Sequence, residues 1–210
     1  MRLLRIPQPF DHPDFIYELK LDGFRGLAVV SHGTCQLVSR NGYVFTQWDA
    51  LAGAIARSIG ARSAVLDGEI ACFGADGRTD FYGLMFRRRE PRFAAFDLLE
   101  LDGRDLRSRP LLERKRRLRA LMPAVQGRLQ YVDHIEERGT DFYKLACAKD
   151  LEGVVAKWAH GRYQTGHETS WLKIKNPTYS QMEGRHELFE ARRSTFEGRS
   201  RQQTTTLALR

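Results

Sequence analysis

The residues best placed to do chemistry lie in one stretch, FIYELKLDGFR at 15–25. Lys20 stands between two acids, Glu18 and Asp22, with Arg25 close behind. Phe15, Tyr17, Leu19 and Leu21 alternate with Ile16, Glu18, Lys20 and Asp22, and a period of two predicts a half-buried strand. In that register Glu18, Lys20 and Asp22 share one face while the aromatic and aliphatic residues meet the core. Gly23 then interrupts the pattern. Such a lysine is either part of a solvated, salt-bridged face or a reactive amine, and the stretch alone leaves both open.

Other charges sit where a ligand could recruit them. Asp67 and Glu69, two apart in AVLDGEIACF, share a strand face. Neighbouring carboxylates repel unless a cation or donors sit between them, and the apolar setting favours a cation over a surface pair. Glu152 opens the strand LEGVVAK, which ends at Lys157. In WLKIK, Lys173 and Lys175 face one way and Leu172 and Ile174 the other, so that face needs an anion or open water. Arg40 precedes Asn41-Gly42, a two-residue hairpin signal between CQLVSR and YVF. It is either a turn-flanking surface charge or a ligand contact.

The elements that must position these residues alternate along the chain. Residues 1–14, with Pro7, Pro9 and Pro13, read as an irregular lead-in to a domain over 15–176. LAVV continues as a strand after Gly23. Trp48, Leu51, Ile55 and Ile59 predict a helix closed by Gly60. RFAAFDLLELDGRDL predicts a strand entering an Asp-Gly turn, and Pro110 opens a helix with Leu111, Leu118, Leu121 and Met122 on one stripe. The dense basic face of that helix reads first as solvated, second as a nucleic-acid contact. LQYVDHI predicts one short strand, and GTDFYKLACAKD a helix with Thr140 as its N-cap. A helical extension over 177–193 and a disordered tail over 194–210 complete the chain. Short strands joined by hairpins and interspersed helices imply an α+β domain with mainly antiparallel sheets.

Composition narrows the partner. The 210 residues carry 34 basic and 26 acidic side chains, a net charge of +8, which favours an anionic partner with nucleic acid first. Cys35, Cys72 and Cys147 form no CxxC pair and read as reduced thiols of a cytoplasmic protein. The N-terminus has no apolar core of a signal peptide, and no uncharged apolar run approaches the length of a membrane span.

Taken together, the segments resemble the covalent nucleotidyltransferase family, which includes ATP-dependent DNA ligases, RNA ligases and mRNA capping enzymes. The signature KxDGxR stands as Lys20-Leu21-Asp22-Gly23-Phe24-Arg25. SRNG at 39–42, LDGEI at 66–70, FAAFDLL at 93–99, EGVVAK at 152–157 and WLKIK at 171–175 follow in the family's order. The details are most similar to bacterial ATP-dependent DNA ligases of the end-joining type, in particular to short stand-alone relatives of their ligase domain. The resemblance implies an α+β nucleotidyltransferase fold, ATP-grasp-like, of two antiparallel β-sheets with flanking helices and a nucleotide groove between them.

It also implies a reaction. The Lys20 amine attacks the α-phosphate of ATP, pyrophosphate leaves, and AMP passes from the lysine to a DNA 5′-phosphate, where a 3′-hydroxyl displaces it. Only a neutral amine attacks, and Lys173, Lys175, Arg25 and a bound Mg²⁺ or Mn²⁺ would favour that form by like-charge repulsion. By the same resemblance Glu18 lies by the adenine, Phe96 stacks on it, and Glu69 holds the ribose and helps position metal. Glu152 is a metal-binding carboxylate, Lys173 and Lys175 hold the α-phosphate, and Lys157 assists at the phosphates. Arg25 belongs to the nucleotide-binding set, and Arg25 and Arg40 contact the nicked DNA.

One departure qualifies the resemblance. Such ligases usually continue after WLKIK into an OB-fold that clamps the duplex, and the 35 residues after Lys175 are too few and too polar for it. The partners implied are nicked or broken duplex DNA and a repair protein supplying the missing clamp, in the bacterial cytoplasm at the nucleoid. The leading expectation is an ATP-dependent DNA ligase acting in repair and recombination. The alternatives are an RNA ligase or other nucleotidyltransferase, and a non-catalytic nick-binding remnant of the fold.

Overall fold

A computed structural model describes residues 1–164 and 169–182. The chain divides into two compact units, Met1–Pro177 and Thr178–Arg210. In the second, the described residues hold a short 3₁₀ turn, Ser180–Met182; the helix expected to 193 and the tail beyond it lie outside the described residues from 183. Among the described residues no helix is long and apolar enough to cross a membrane.

Two sheets build the first unit. One has five strands in the order β1 (Leu4–Arg5), β11 (Trp171–Lys175), β10 (Gly153–Trp158), β2 (His12–Leu19) and β9 (His134–Glu137). The other runs β4 (Thr34–Ser39), β3 (Phe24–Ser31), β5 (Ser63–Ala71), β6 (Arg92–Leu101) and β7 (Arg104–Asp105), with β8 (Leu129–Tyr131) also on β6. All pairings are antiparallel except β1 with β11 and β6 with β8. Among the described residues four α-helices accompany them: α1 (Asp49–Ser58), α2 (Phe81–Met85), α3 (Leu111–Leu121) and α4 (Gly139–Ala148). The expected α+β arrangement of two sheets is the one observed.

The main core lies on the six-stranded sheet, where Leu51 and Ile55 of α1 and Leu118 of α3 pack with Leu66, Ile70 and Phe93. The five-stranded sheet is covered on both faces. On one, Ala146 of α4 packs with Tyr17, Val154, Ala156 and Ile174. On the other, Ile16, Val155 and Trp171 meet Leu111 and Phe96. Helix α3 therefore joins the two sheets, with Leu111 in one cluster and Leu118 in the other.

This two-sided burial corrects the predicted register. Strand β2 begins at His12, inside the expected lead-in, and ends at Leu19. Lys20 and Asp22 lie beyond it and share no strand face with Glu18. Ile16, Tyr17 and Glu18 are all buried, because α4 covers one side and the second sheet faces the other. Alternation here separates an apolar core from a polar groove, not inside from outside.

Three local readings also change. LQYVDHI is two strands in different sheets, since the chain crosses between them at Val132–Asp133. Helix α4 starts at Gly139, and its Thr140 N–H donates to the Asp11 carboxylate at 2.7 Å, so the cap comes from a distant acid. At Asn41-Gly42 only the glycine takes a positive φ, +83°. The turn closes through Gly42 N–H to the Ser39 carbonyl at 2.9 Å, and the return is a single bridge, Val38 to Val44.

Candidate active site

Strand register assembles the site. Directly paired residues of neighbouring strands point to the same face. Ile16, Lys157 and Trp171 form one row across β2, β10 and β11, and Glu18, Val155 and Lys173 form the next. Gly153 pairs with Lys175, and its carbonyl accepts the Lys20 N–H at 2.9 Å. The groove therefore has a polarity: Lys157 and Trp171 at one end, Lys20, Lys173 and Lys175 at the other.

Two glycines allow the close approach. A Cβ on Gly23 would stand 2.1 Å from the Ile70 carbonyl oxygen, and one on Gly153, at φ +134°, 2.1 Å from that of Ile174. The first glycine presses the turn after Lys20 onto β5. The second brings Glu152 beside the lysines.

At the open end, Lys20 Nζ donates to Glu152 Oε2 at 2.6 Å, and Lys175 Nζ lies 3.7 Å from Oε1 of the same carboxylate. Partial burial, with the Lys175 and Lys20 ammoniums nearby, lowers the pKa of Lys173. Glu69 is half-buried on β5, and burial pushes its carboxyl up to about 8 against the pull of Lys20 and Arg25. The carboxylates of Glu152 and Asp67 add to that rise.

Arg25 is turned inward. Its Nε and Nη2 bind Asp67 at 3.0 and 2.6 Å, and Nη1 donates to the Met1 carbonyl at 2.6 Å. Tyr163 donates its hydroxyl to the same Asp67 at 2.8 Å. The cation expected beside Asp67 and Glu69 is thus Arg25, and its guanidinium, over Phe96 and Trp171 at 5.5 and 5.4 Å, is a wall of the groove. This inward engagement departs from the expected contact with nicked DNA. Arg40 is exposed at the Ser39–Gly42 turn and does not line the groove.

The closed end holds a buried triad. Glu18 accepts a hydrogen bond from Lys115 Nζ on Oε1 at 2.5 Å, and Lys157 Nζ lies 2.5 Å from Oε2 as an ion pair without hydrogen-bond geometry. Burial would raise the Glu18 pKa, but the two ammoniums prevail and lower it. Lys157 also lies 4.2 and 4.0 Å from the ring centres of Phe96 and Trp171. Burial pushes it down to about 8 in spite of Glu18. Lys157 was expected to reach the phosphates; with its side chain 2% exposed, it sits instead at the groove floor, because it shares a row with Trp171.

Sequence reasoning missed three of these groups. Asp97 and Arg114 form a fully buried two-point ion pair, 2.8 Å on each arm, and Arg114 also donates to the Gly161 carbonyl at 3.0 Å. Lys115 is equally buried. The signal was present: positions 111, 114, 115 and 118 follow the spacing of one helix face, so Arg114 and Lys115 fall inside the apolar stripe.

The arrangement gives an amine at a groove mouth, cations for an anion beside it, and two acids, Glu69 and Glu152, close enough that the Glu152 carboxylate disfavours the charge of Glu69. Such a pair suits a hard divalent cation held by carboxylates and substrate phosphates, although among the described residues no group of three metal-ligating side chains is assembled.

Known proteins share this fold and sequence. The ATP dependent DNA ligase domain family matches residues 5–175. The multifunctional non-homologous end joining protein LigD of Pseudomonas aeruginosa is 34% identical over 176 residues, covering 77% of this chain. The chain spans 20% of that relative's length. The SPbeta prophage-derived DNA ligase-like protein LigB of Bacillus subtilis is 28% identical, covering 87% of this chain and 68% of its own. Among solved structures, the ligase domain of M. tuberculosis LigD superposes with a TM-score of 0.68 at 29% identity, covering 82% of this chain and 58% of that one. A mycobacterial DNA ligase D complexed with ATP and MES gives 0.66 at 28% identity, over 82% and 60%. The chain belongs to the ATP-dependent DNA ligase domain family.

Proposed function

We propose that the protein is an ATP-dependent DNA ligase that forms a lysyl–AMP on Lys20, passes AMP to a DNA 5′-phosphate and seals the break. One observation carries this reading: the Lys20 amine stands at the groove mouth on Glu152, with Lys173 and Lys175 on the adjoining strand facing the same side.

The chemistry follows from that geometry. The Lys20 ammonium releases its proton, Glu152 Oε2 being the acceptor within hydrogen-bond reach. The Nζ lone pair attacks the α-phosphorus, the bond to the bridging oxygen breaks, and pyrophosphate leaves with the electron pair. Lys173 and Lys175 balance charge on the α-phosphate oxygens as the transition state forms. Phe96 and Trp171 offer apolar surface to the base, and Glu18, fixed by Lys115 and Lys157, accepts from an amino group on the base edge. Glu69 and Glu152 would hold Mg²⁺ or Mn²⁺, which neutralises phosphate charge when bound. In the later steps the DNA 5′-phosphate attacks the same phosphorus and frees Lys20; the 3′-hydroxyl then displaces AMP. Arg40, exposed at its turn, contacts the nicked duplex.

The test is self-adenylation. Purified protein with α-labelled ATP and Mg²⁺ or Mn²⁺ is expected to retain label through denaturing electrophoresis, and Lys20→Ala to retain none. Sealing of a nicked DNA duplex follows. Label from GTP, or sealing of nicked RNA alone, would move the protein to another nucleotidyltransferase class. No label with either metal, and no sealing of a pre-adenylated nick, would leave a nick-binding scaffold.

A further inference from the structure

The sequence FRRREPR at 86–92 forms a basic cup on the six-stranded sheet that the ligase chemistry does not use. The cup holds about 310 Å³ and is lined by Phe73, Arg89, Glu90, Pro91, Arg92 and Arg128. Arg87 and Arg88 line the depression next to it. Two of these guanidiniums are neutralised inside the patch, Arg89 by Asp80 and Arg128 by Glu90. Arg87, Arg88 and Arg92 are exposed and have no carboxylate partner among the described residues. Arg88 and Arg92 lie over aromatic rings, Phe86 at 5.2 Å and Phe73 at 5.6 Å. A guanidinium flat on a ring keeps its N–H edges free for an anion.

The backbone holds Arg87 where another residue would be easier. Helix α2 ends with Arg88 N–H donating to the Gly83 carbonyl at 2.8 Å and Arg87 N–H to that of Leu84 at 3.2 Å. This closing motif puts the residue at 87 in the left-handed region, φ +55°, a position that glycine fills most readily. Here it carries a charge.

The cup and the groove are linked by shared lining residues. Phe73 lines both the cup and a trough between the sheets, and Leu19 and Leu21 line both that trough and the groove of Lys20. A backbone lying along this path would place one end at the lysine and successive phosphates on the arginines.

We propose that this cup binds the phosphate backbone of duplex DNA on one side of the break, through Arg87, Arg88 and Arg92. The identity of the partner rests on the DNA-joining reading above. The surface itself can be tested without it.

The experiment measures binding of a nicked DNA duplex, without nucleotide or metal, across a salt series. The variants are Arg87→Ala/Arg88→Ala/Arg92→Ala and a control of equal charge, Arg57→Ala/Arg62→Ala/Arg116→Ala, at exposed arginines elsewhere. Thermal unfolding checks that each is folded. Loss of three phosphate contacts should reduce the slope of log K against log salt by about 2–3 and weaken binding at least ~10-fold near 0.1 M salt. Arg87→Gly relaxes the backbone and removes only the charge, so it should melt no lower than wild type, bind more weakly and lose about 1 from the slope. An unchanged slope in the cup variant, or an equal loss in the control, would overturn the proposal, as would a preference for duplex RNA. Because nothing is catalysed, failed self-adenylation leaves this result standing, and a normal label with unaltered DNA binding refutes the cup alone.

Discussion

Lys20 Nζ and Glu152 Oε2 are 2.6 Å apart, and the other oxygen of Glu152 lies 3.7 Å from Lys175. One carboxylate therefore orients the nucleophile and a phosphate-facing lysine together. Glu152→Gln keeps the shape and loses the charge. Lys20 labelling should fall by about 100-fold or more, the scale of removing a positioned proton-transfer or charge-stabilising group. Thermal unfolding should change little, since the two lysines that Glu152 meets are partly exposed to solvent. A quench-flow or gel time course of label decides it; an unimpaired rate would mean Glu152 has no part in the step.

Glu69 supplies a pH signature. Its carboxyl is raised from 4.5 to about 8, so between those values the folded state holds a proton that the unfolded state has lost. Stability must then fall as pH rises through that window. After allowance for solvent at this half-buried site the effect is about 1–2 kcal/mol. The difference in unfolding free energy between wild type and Glu69→Gln should drift by that amount from pH 5 to 8 in metal-free buffer. Added Mg²⁺ should stabilise wild type more at pH 8.5 than at pH 6, because the cation requires the ionised acid.

Much of this was legible from residues alone. The strands read at LAVV and AVLDGEIACF, the 48–59 helical spacing and the ordered motifs pointed to two sheets, and the lysines at 20, 173 and 175 do meet in space. What escaped has a common cause. A period-two pattern reports which faces differ, not which face is solvated, so Glu18 looked like a neighbour of Lys20 when it is buried opposite Val155. The basic run of α3 read as a solvated face because charge dominated its composition, although Arg114 and Lys115 occupy apolar-stripe positions. Their partners, Asp97 and Glu18, are 17 and 97 residues away, and nothing local announces a pairing at that range.

The Asp97–Arg114 pair makes the next prediction. Both side chains are fully buried, so removing one partner leaves an uncompensated charge in the core. Arg114→Met should cost about 3–5 kcal/mol in urea unfolding, and Asp97→Leu/Arg114→Met should recover most of that loss. If the single variant cost under about 1 kcal/mol, the pair would not be what ties β6 to α3. The double variant should still label Lys20, because neither residue reaches the groove mouth.

Lys157 gives a pH dependence of opposite sign. Its pKa falls from 10.5 to about 8 on folding, so between pH 8 and 10.5 the unfolded chain binds the extra proton and stability rises with pH. Lys157→Met keeps the apolar stem between Phe96 and Trp171 and abolishes that rise. Glu18 stays paired in this variant, because Lys115 reaches it at 2.5 Å and is itself fixed by the Val132 carbonyl at 2.9 Å. Lys115→Met should therefore be the more damaging change, by about 2 kcal/mol, since it strips Glu18 of its hydrogen-bonded cation. The two groups make opposite demands in adjoining windows: Glu69 destabilises up to pH 8, and Lys157 stabilises above it. Their summed contribution passes through a minimum near pH 8. That minimum should flatten on its acid side in Glu69→Gln and on its alkaline side in Lys157→Met. A curve whose alkaline limb survives Lys157→Met would show that the neutral amine at the groove floor is not the group that titrates.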